Sequence, residues 1–134
     1  MLSKKAQYAI RAAAYLAARY NDGPVGIAEI SEQKKIPLKF LENILLELKK
    51  AGILESKKGK GGGYQLKMPP ETIVLAKIIR TVDGPISMLP CVSLYFHEKC
   101  NDCDETNCRI NQVFAAARDA TLSVLEHRSL QDIA

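Results

Sequence analysis

The chain has 134 residues, 47% hydrophobic and 25% charged, the balance of one globular domain with a single core and not of a disordered chain. No apolar run reaches the roughly 18 residues of a membrane span, and Met1-Leu2-Ser3-Lys4-Lys5 leads into an amphipathic pattern unlike a secretory signal. The net charge of +4 hides an asymmetry: residues 1–67 carry 13 Lys and Arg against 6 Asp and Glu, whereas residues 68–134 carry 6 against 9, so a polyanion-facing half and lysines that only confer solubility are both open readings.

Ser3 can cap a first helix in which Ala6, Ile10, Ala13, Leu16, Ala17 and Tyr20 recur at spacings of three and four. Asn21-Asp22-Gly23-Pro24 ends it. A short second helix over residues 27–35 turns Ile27, Ala28 and Ile30 inward. Pro37 stands in the first turn of a third helix, where its missing N–H would have had no partner. Leu38, Leu41, Ile44, Leu45 and Leu48 form that helix's buried face, and Ala51-Gly52 ends it with a glycine suited to a left-handed cap.

Two short extended pieces, residues 53–56 and 64–66, flank Lys57-Lys58-Gly59-Lys60-Gly61-Gly62-Gly63, a glycine-rich turn with three lysines. Pro69-Pro70 opens a fourth helix over residues 71–82, with Val74, Leu75, Ile78, Ile79 and Val82 inward, closed by Asp83-Gly84-Pro85. Residues 86–108 lack a steady period and hold all four cysteines: Cys91, Cys100, Cys103 and Cys108. A last helix begins near Arg109, where Ile110, Val113, Phe114, Ala117, Thr121, Val124 and Leu125 make a coiled-coil-like seam.

Three short helices followed by a hairpin make a winged helix-turn-helix, in which the third helix enters the major groove and the hairpin tip meets the backbone or minor groove. The face of the third helix left over by its leucines holds Lys39, Glu42 and Asn43, whose side chains suit guanine, cytosine and adenine edges respectively. Phe40 has two uses, a thymine methyl contact or a place in the core, and the core is the one expected. Lys57, Lys58 and Lys60 supply counter-charge to phosphates, while Gly61 and Gly62 let the backbone approach. The glycine run lacks the ending of a P-loop and the strand-to-helix turn of a dinucleotide fingerprint.

These stretches resemble the IscR-like (Rrf-two-type) winged-helix regulators of bacteria. The resemblance rests on Leu2-Ser3-Lys4 through Tyr8-Ala9-Ile10-Arg11, Ile30-Ser31-Glu32, Ile36-Pro37-Leu38 with Phe40-Leu41-Glu42, and Leu48-Lys49-Lys50-Ala51-Gly52. The wing signature Gly59-Lys60-Gly61-Gly62-Gly63-Tyr64 and the cysteine region around Cys91 and Cys108 complete it. It implies a homodimeric cytoplasmic transcription regulator on a palindromic double-stranded DNA operator, without membrane contact. The implied architecture is mainly α with a small β-hairpin: a winged helix-turn-helix plus a long C-terminal dimerisation helix. It also adds Lys4, Lys5, Tyr8, Pro37 and Leu38 to the DNA-binding candidates. Residues 1–83 are expected to bind DNA, 84–108 to form a cysteine-containing sensor loop, and 109–134 to supply the dimerisation helix and tail, within one domain.

In the best-known relatives three cysteines and one further residue hold a two-iron, two-sulfur cluster, and other relatives hold none. Here the spacing is Cys91-x8-Cys100-x2-Cys103-x4-Cys108, Asn111 stands where the IscR pattern has a histidine, and Gln7 stands near the aspartate of the nitric-oxide-sensing branch. Four thiolates suit a 2Fe-2S cluster, which the resemblance favours, tetrahedral zinc, or a metal-free thiol switch. Glu98, Asp102, Asp104 and Glu105 crowd the loop with negative charge, opposed by Lys99 and Arg109, and His97 is a spare donor. An enzyme is not expected: the Cys100-x2-Cys103 pair lies outside any β-α-β pattern, and His97 and His127 are the only histidines.

Overall fold

The structure is a computed structural model and describes residues 2–100 and 108–134. Helix α1 spans Lys4–Ala18, α2 Ile27–Lys34 and α3 Leu38–Lys50, followed by strands β1, Leu54–Lys57, and β2, Gly63–Leu66. Among the described residues, helix α4, Leu75–Asp83, and the long α5, Arg109–Leu125, complete the regular elements, with single 3-10 turns at Pro70–Thr72, Pro90–Val92 and Leu130–Asp132. This is the winged helix-turn-helix with a long C-terminal helix that the sequence predicts.

Ser3 caps α1 as expected, accepting from the Ala6 amide at 2.9 Å. Its own amide and hydroxyl both donate to the Asp83 carboxylate at the end of α4, so one residue starts the first helix and ties it to the fourth. Ala6, Ala9, Ala12, Ala13, Leu16 and Ala17 form the buried face of α1. The run of alanines has a reason: small side chains let α3 and α4 approach closely.

Helix α3 ends in a Schellman motif. The Ile53 amide donates to the Leu48 carbonyl and the Gly52 amide to the Lys49 carbonyl, both at 3.0 Å, with Gly52 at φ +79°. Leu48 and Ile53 are both fully buried, which supplies the apolar contact that accompanies such caps and aims the chain into β1. Burial of Leu41, Ile44, Leu45 and Leu48 contributes roughly 1.5–3 kcal/mol each.

The hairpin is antiparallel with Leu54 opposite Leu66 and Lys57 opposite Gly63. Its outer edge is paired as well. Val25 and Tyr64 exchange two backbone hydrogen bonds of 2.8 Å, so Val25, two residues before α2, acts as a third strand. That approach requires glycine at position 63, because a Cβ there would stand 2.2 Å from the Val25 carbonyl oxygen.

Five expectations are corrected. Ala28 is exposed, since the eight-residue α2 buries Ile30 alone. Pro37 precedes the first helical residue of α3 as its N-cap. Leu38 and Phe40 are 46% and 40% exposed, because core contact begins one turn later, at Leu41. The fourth helix does not begin at residue 71. After the Pro70–Thr72 turn the chain extends, Val74 bridges Ser129, and Ile73 and Ala76 take buried places. The C-terminal seam also divides: Phe114 and Leu125 turn toward α4 across a cleft lined by Ile79 and Ile86, whereas Ile110, Val113 and Val124 are 61%, 64% and 53% exposed.

Candidate nucleic-acid interface and cysteine recess

At 100° per residue, the buried side of α3 is set by Leu41, Ile44, Leu45 and Leu48, and Lys39 and Asn43 point directly away from it. Lys39, Glu42 and Asn43 are all exposed. A donor, an acceptor and an amide therefore share one strip at the start of the helix, the end that meets base edges in helix-turn-helix proteins. Pro37 and Leu38 lie exposed beside it. The left-handed Lys35, φ +54°, and the bond from the Ser31 hydroxyl to the Ile36 carbonyl set the turn that presents this strip.

The N-terminus of α1 borders it. Tyr8 packs edge-on against Phe40, with ring centroids 5.6 Å apart and planes at 80°. Lys4 and Arg11 each lie 5.4 Å from the Tyr8 ring centre, and Arg11 donates to the Lys34 carbonyl. Lys5 is already paired with Glu47 of α3 at 2.5 Å, which makes it a weaker candidate for phosphate than exposed Lys4. On the opposite part of α1, the Tyr15 hydroxyl donates to Glu29. That bond holds the phenol above its ordinary value of 10.0, with desolvation adding to the shift and the Arg19 charge opposing it.

The wing carries Lys57, Lys58, Lys60 and Gly61 exposed, and Gly62 half-buried. The Gly62 amide donates to the Gly59 carbonyl, and a Cβ at residue 62 would lie 2.1 Å from the Lys57 carbonyl oxygen. The turn is thus closed by its own backbone, and its lysines point outward. Lys49 donates to Ser56 at 2.7 Å, fixing the wing against α3.

Cys91, Cys100 and Cys108 line one recess of about 490 Å³ with Leu89, Pro90, Glu98, Lys99, Ile110 and Asn111. Cys108 is the N-cap of α5, its sulfur accepting from the Asn111 amide at 3.4 Å, while Asn111 Nδ2 donates to the Cys91 sulfur at 3.5 Å. One residue therefore holds two cysteines that are 17 apart in sequence. Among the described residues no three His, Cys, Asp or Glu side chains stand close enough together to hold a metal ion. Cys103, Asp102, Asp104 and Glu105 lie outside the described residues, and His97 is exposed. Thiols in a largely apolar recess, with N–H groups aimed at the Cys91 and Cys108 sulfurs, are the donor type that a thiolate-held cluster or zinc takes, but as placed the three described cysteines do not converge on one ion.

Three residues that the geometry singles out have no role on sequence reasoning alone. Asn111 reads as a poor ligand, yet it serves the sulfurs as a donor. Arg118 of α5 donates to the Val92 carbonyl at 2.7 Å, and Arg80 of α4 stacks on Tyr95 at 4.4 Å while pairing with Glu126 at 2.7 Å. An arginine on a helix face otherwise turned inward was the available signal.

A family model described as "Rrf2: Iron-dependent Transcriptional regulator" matches residues 2–134. The chain is 39% identical over 137 residues to an rrf2-like HTH-type transcriptional regulator of Rhodobacter capsulatus, covering 99% of this chain and 91% of that one. It is 38% identical over 90 residues to the HTH-type transcriptional regulator IscR of Aliivibrio salmonicida, a stretch spanning 67% of this chain and 54% of the relative. Among solved structures it is similar to CymR, the global cysteine regulator of B. subtilis. There the TM-score is 0.83 at 28% identity, covering 100% of this chain and 95% of that one.

Proposed function

Because the chain belongs to the Rrf2 family of transcriptional regulators and is a regulator, not an enzyme, we propose that it binds a palindromic double-stranded DNA operator as a homodimer. Its affinity is set through the cysteine segment, by a 2Fe-2S cluster or by thiol redox state. The observation that carries the DNA reading is the strip Lys39-Glu42-Asn43 at the exposed start of α3, bordered by Lys4 and the wing lysines. Lys39 donates to guanine, Asn43 pairs with adenine and Glu42 accepts from cytosine. Lys57, Lys58 and Lys60, with the close backbone of Gly61 and Gly62, hold phosphates. Tyr8, Pro37 and Leu38 complete the surface, and Lys5 supports it through Glu47.

Residues 1–83 are the reading head in this account, 84–108 the sensor segment, and 109–134 the dimer element. Ile110, Val113, Ala117, Ala120 and Val124 follow the alternation of three and four that pairs helices, and the three larger ones are exposed. Cys91, Cys100 and Cys108, with Cys103, are the residues that would hold a cluster, whose oxidation or loss supplies the signal. Arg118 and Arg80 tie the sensor segment to α5 and α4, so a change at the cysteines acts on the helices that set the spacing of the two reading heads. Half-sites lie about 34–36 Å apart, and a ligand changes operator affinity only if it favours one dimer geometry over another.

A second reading, zinc or no metal at the cysteines and a response to a small molecule or partner protein, is favoured by the likeness to a global cysteine regulator. Anaerobic purification followed by visible absorption and iron, sulfide and zinc analysis separates the two. Equal iron and sulfide in a brown protein supports the cluster, and one zinc in a colourless protein the second reading; in a protein without metal, operator binding that changes on thiol oxidation supports the first reading and binding indifferent to it the second. Failure of a palindromic duplex to bind better than scrambled DNA or RNA at moderate salt would contradict both.

A further inference from the structure

We propose that Phe40 and Leu38 read thymine methyl groups in the major groove, an inference that rests on the DNA-binding reading above. At 100° per residue the exposed arc over the first two turns of α3 runs from Leu38 through Glu42, Lys39 and Asn43 to Phe40. The two apolar side chains therefore stand at opposite borders of the polar strip. Both lie in the first turn, the part of a recognition helix that reaches base edges.

A single exposed apolar residue is ordinary on a protein surface. Phe40 differs because its ring is held. Tyr8 meets it edge-to-face at 5.6 Å, and the Lys4 and Arg11 cations each stand 5.4 Å from the Tyr8 ring centre. Arg11 is in turn anchored on the Lys34 carbonyl. The result is an apolar probe in fixed orientation inside a cationic surround, which matches a polyanion whose interior presents an apolar group. Within the major groove that group is the C5 methyl of thymine, the one apolar substituent among the four base edges. A phosphate would call for the cations alone and would leave both apolar side chains unused.

The test begins with a duplex that the wild-type protein enriches from a random library. Each thymine is then replaced singly by deoxyuridine, which removes the methyl group and leaves every hydrogen-bonding group in place. At one or more thymines of each half-site the replacement weakens wild-type binding about fourfold, the worth of one buried methylene-sized group. The same replacement makes no difference to Phe40→Ala or to Leu38→Ala, and the variant that loses the sensitivity identifies the reader of that base. Thermal unfolding of each variant, followed by circular dichroism, verifies that it is folded, and Phe40→Leu, which keeps an apolar side chain, retains part of the effect. The inference is overturned if no thymine is sensitive, or if the methyl effect persists undiminished in both alanine variants. Enrichment of no duplex at all would overturn the DNA-binding reading itself, and this inference with it.

Discussion

Glu42 is the acid on the exposed strip of α3, and a carboxylate facing DNA repels phosphate unless a base edge gives it a donor. Its replacement therefore separates specificity from affinity. Glu42→Ala is expected to relax discrimination at one base position by about tenfold, with little change in affinity for unrelated duplexes, as measured by competition binding. Uniform loss across all sequences would contradict that role. Lys39, Glu42 and Asn43 were legible from the heptad of leucines alone, since whatever the core rejects on an amphipathic helix faces outward. Leu38 and Phe40 were not, because periodicity says which side a residue is on and cannot say where along the helix the core begins. Asn111 was illegible for another reason: its contacts to two sulfurs depend on the fold of a segment that has no period.

At the scale of elements, the three helices and the hairpin follow from spacing, caps and turn residues, and Gly52 ends α3 as its sequence implies. The strand-like pairing of Val25 with Tyr64 is a contact between distant residues, and a single residue leaves no alternation to detect. The break at Ile73 and Val74 was hidden for a similar reason: the C-terminal residues Ser129 and Leu130 come back to pair with it. Position 63 exposes the consequence of this pairing. Gly63→Ala drives a Cβ into the Val25 carbonyl and is expected to cost about 2 kcal/mol, lowering Tm by roughly 5–10 °C in a calorimetric scan. An unchanged Tm would show that the wing is not anchored there. In the proposed reading the wing lysines act differently, through counterion release. Replacing Lys57, Lys58 and Lys60 by Gln weakens binding to every duplex and flattens the slope of log affinity against log salt by about 1–3; an unaltered slope would mean that the wing does not touch phosphate.

For the whole molecule the decisive feature is α5. Its C-terminal end is fixed to the body by the Arg80–Glu126 pair and by the buried Leu122 and Leu130. Its outer face leaves Ile110, Val113 and Val124 in solvent. The 3.5-residue spacing was readable in the sequence; which side of the seam packs on α4 and which stays open was not, because both sides are apolar. Pairing of the open side with a second copy would cover it and set two reading heads at a fixed separation. Val113→Glu puts a charge at the centre of that stripe. It is expected to shift the protein to a monomer in sedimentation and to lower affinity for a two-half-site duplex at least a hundredfold, while leaving the cysteine recess in place. A dimer that survived the change would assign the exposed stripe another partner.

The most direct measurement is the mass of the complex formed with the duplex selected by the wild-type protein, taken by analytical ultracentrifugation at moderate salt. The account predicts two protomers on one duplex, bound together without a populated one-protomer species. A complex of one protomer per duplex, or no complex at all, would contradict it.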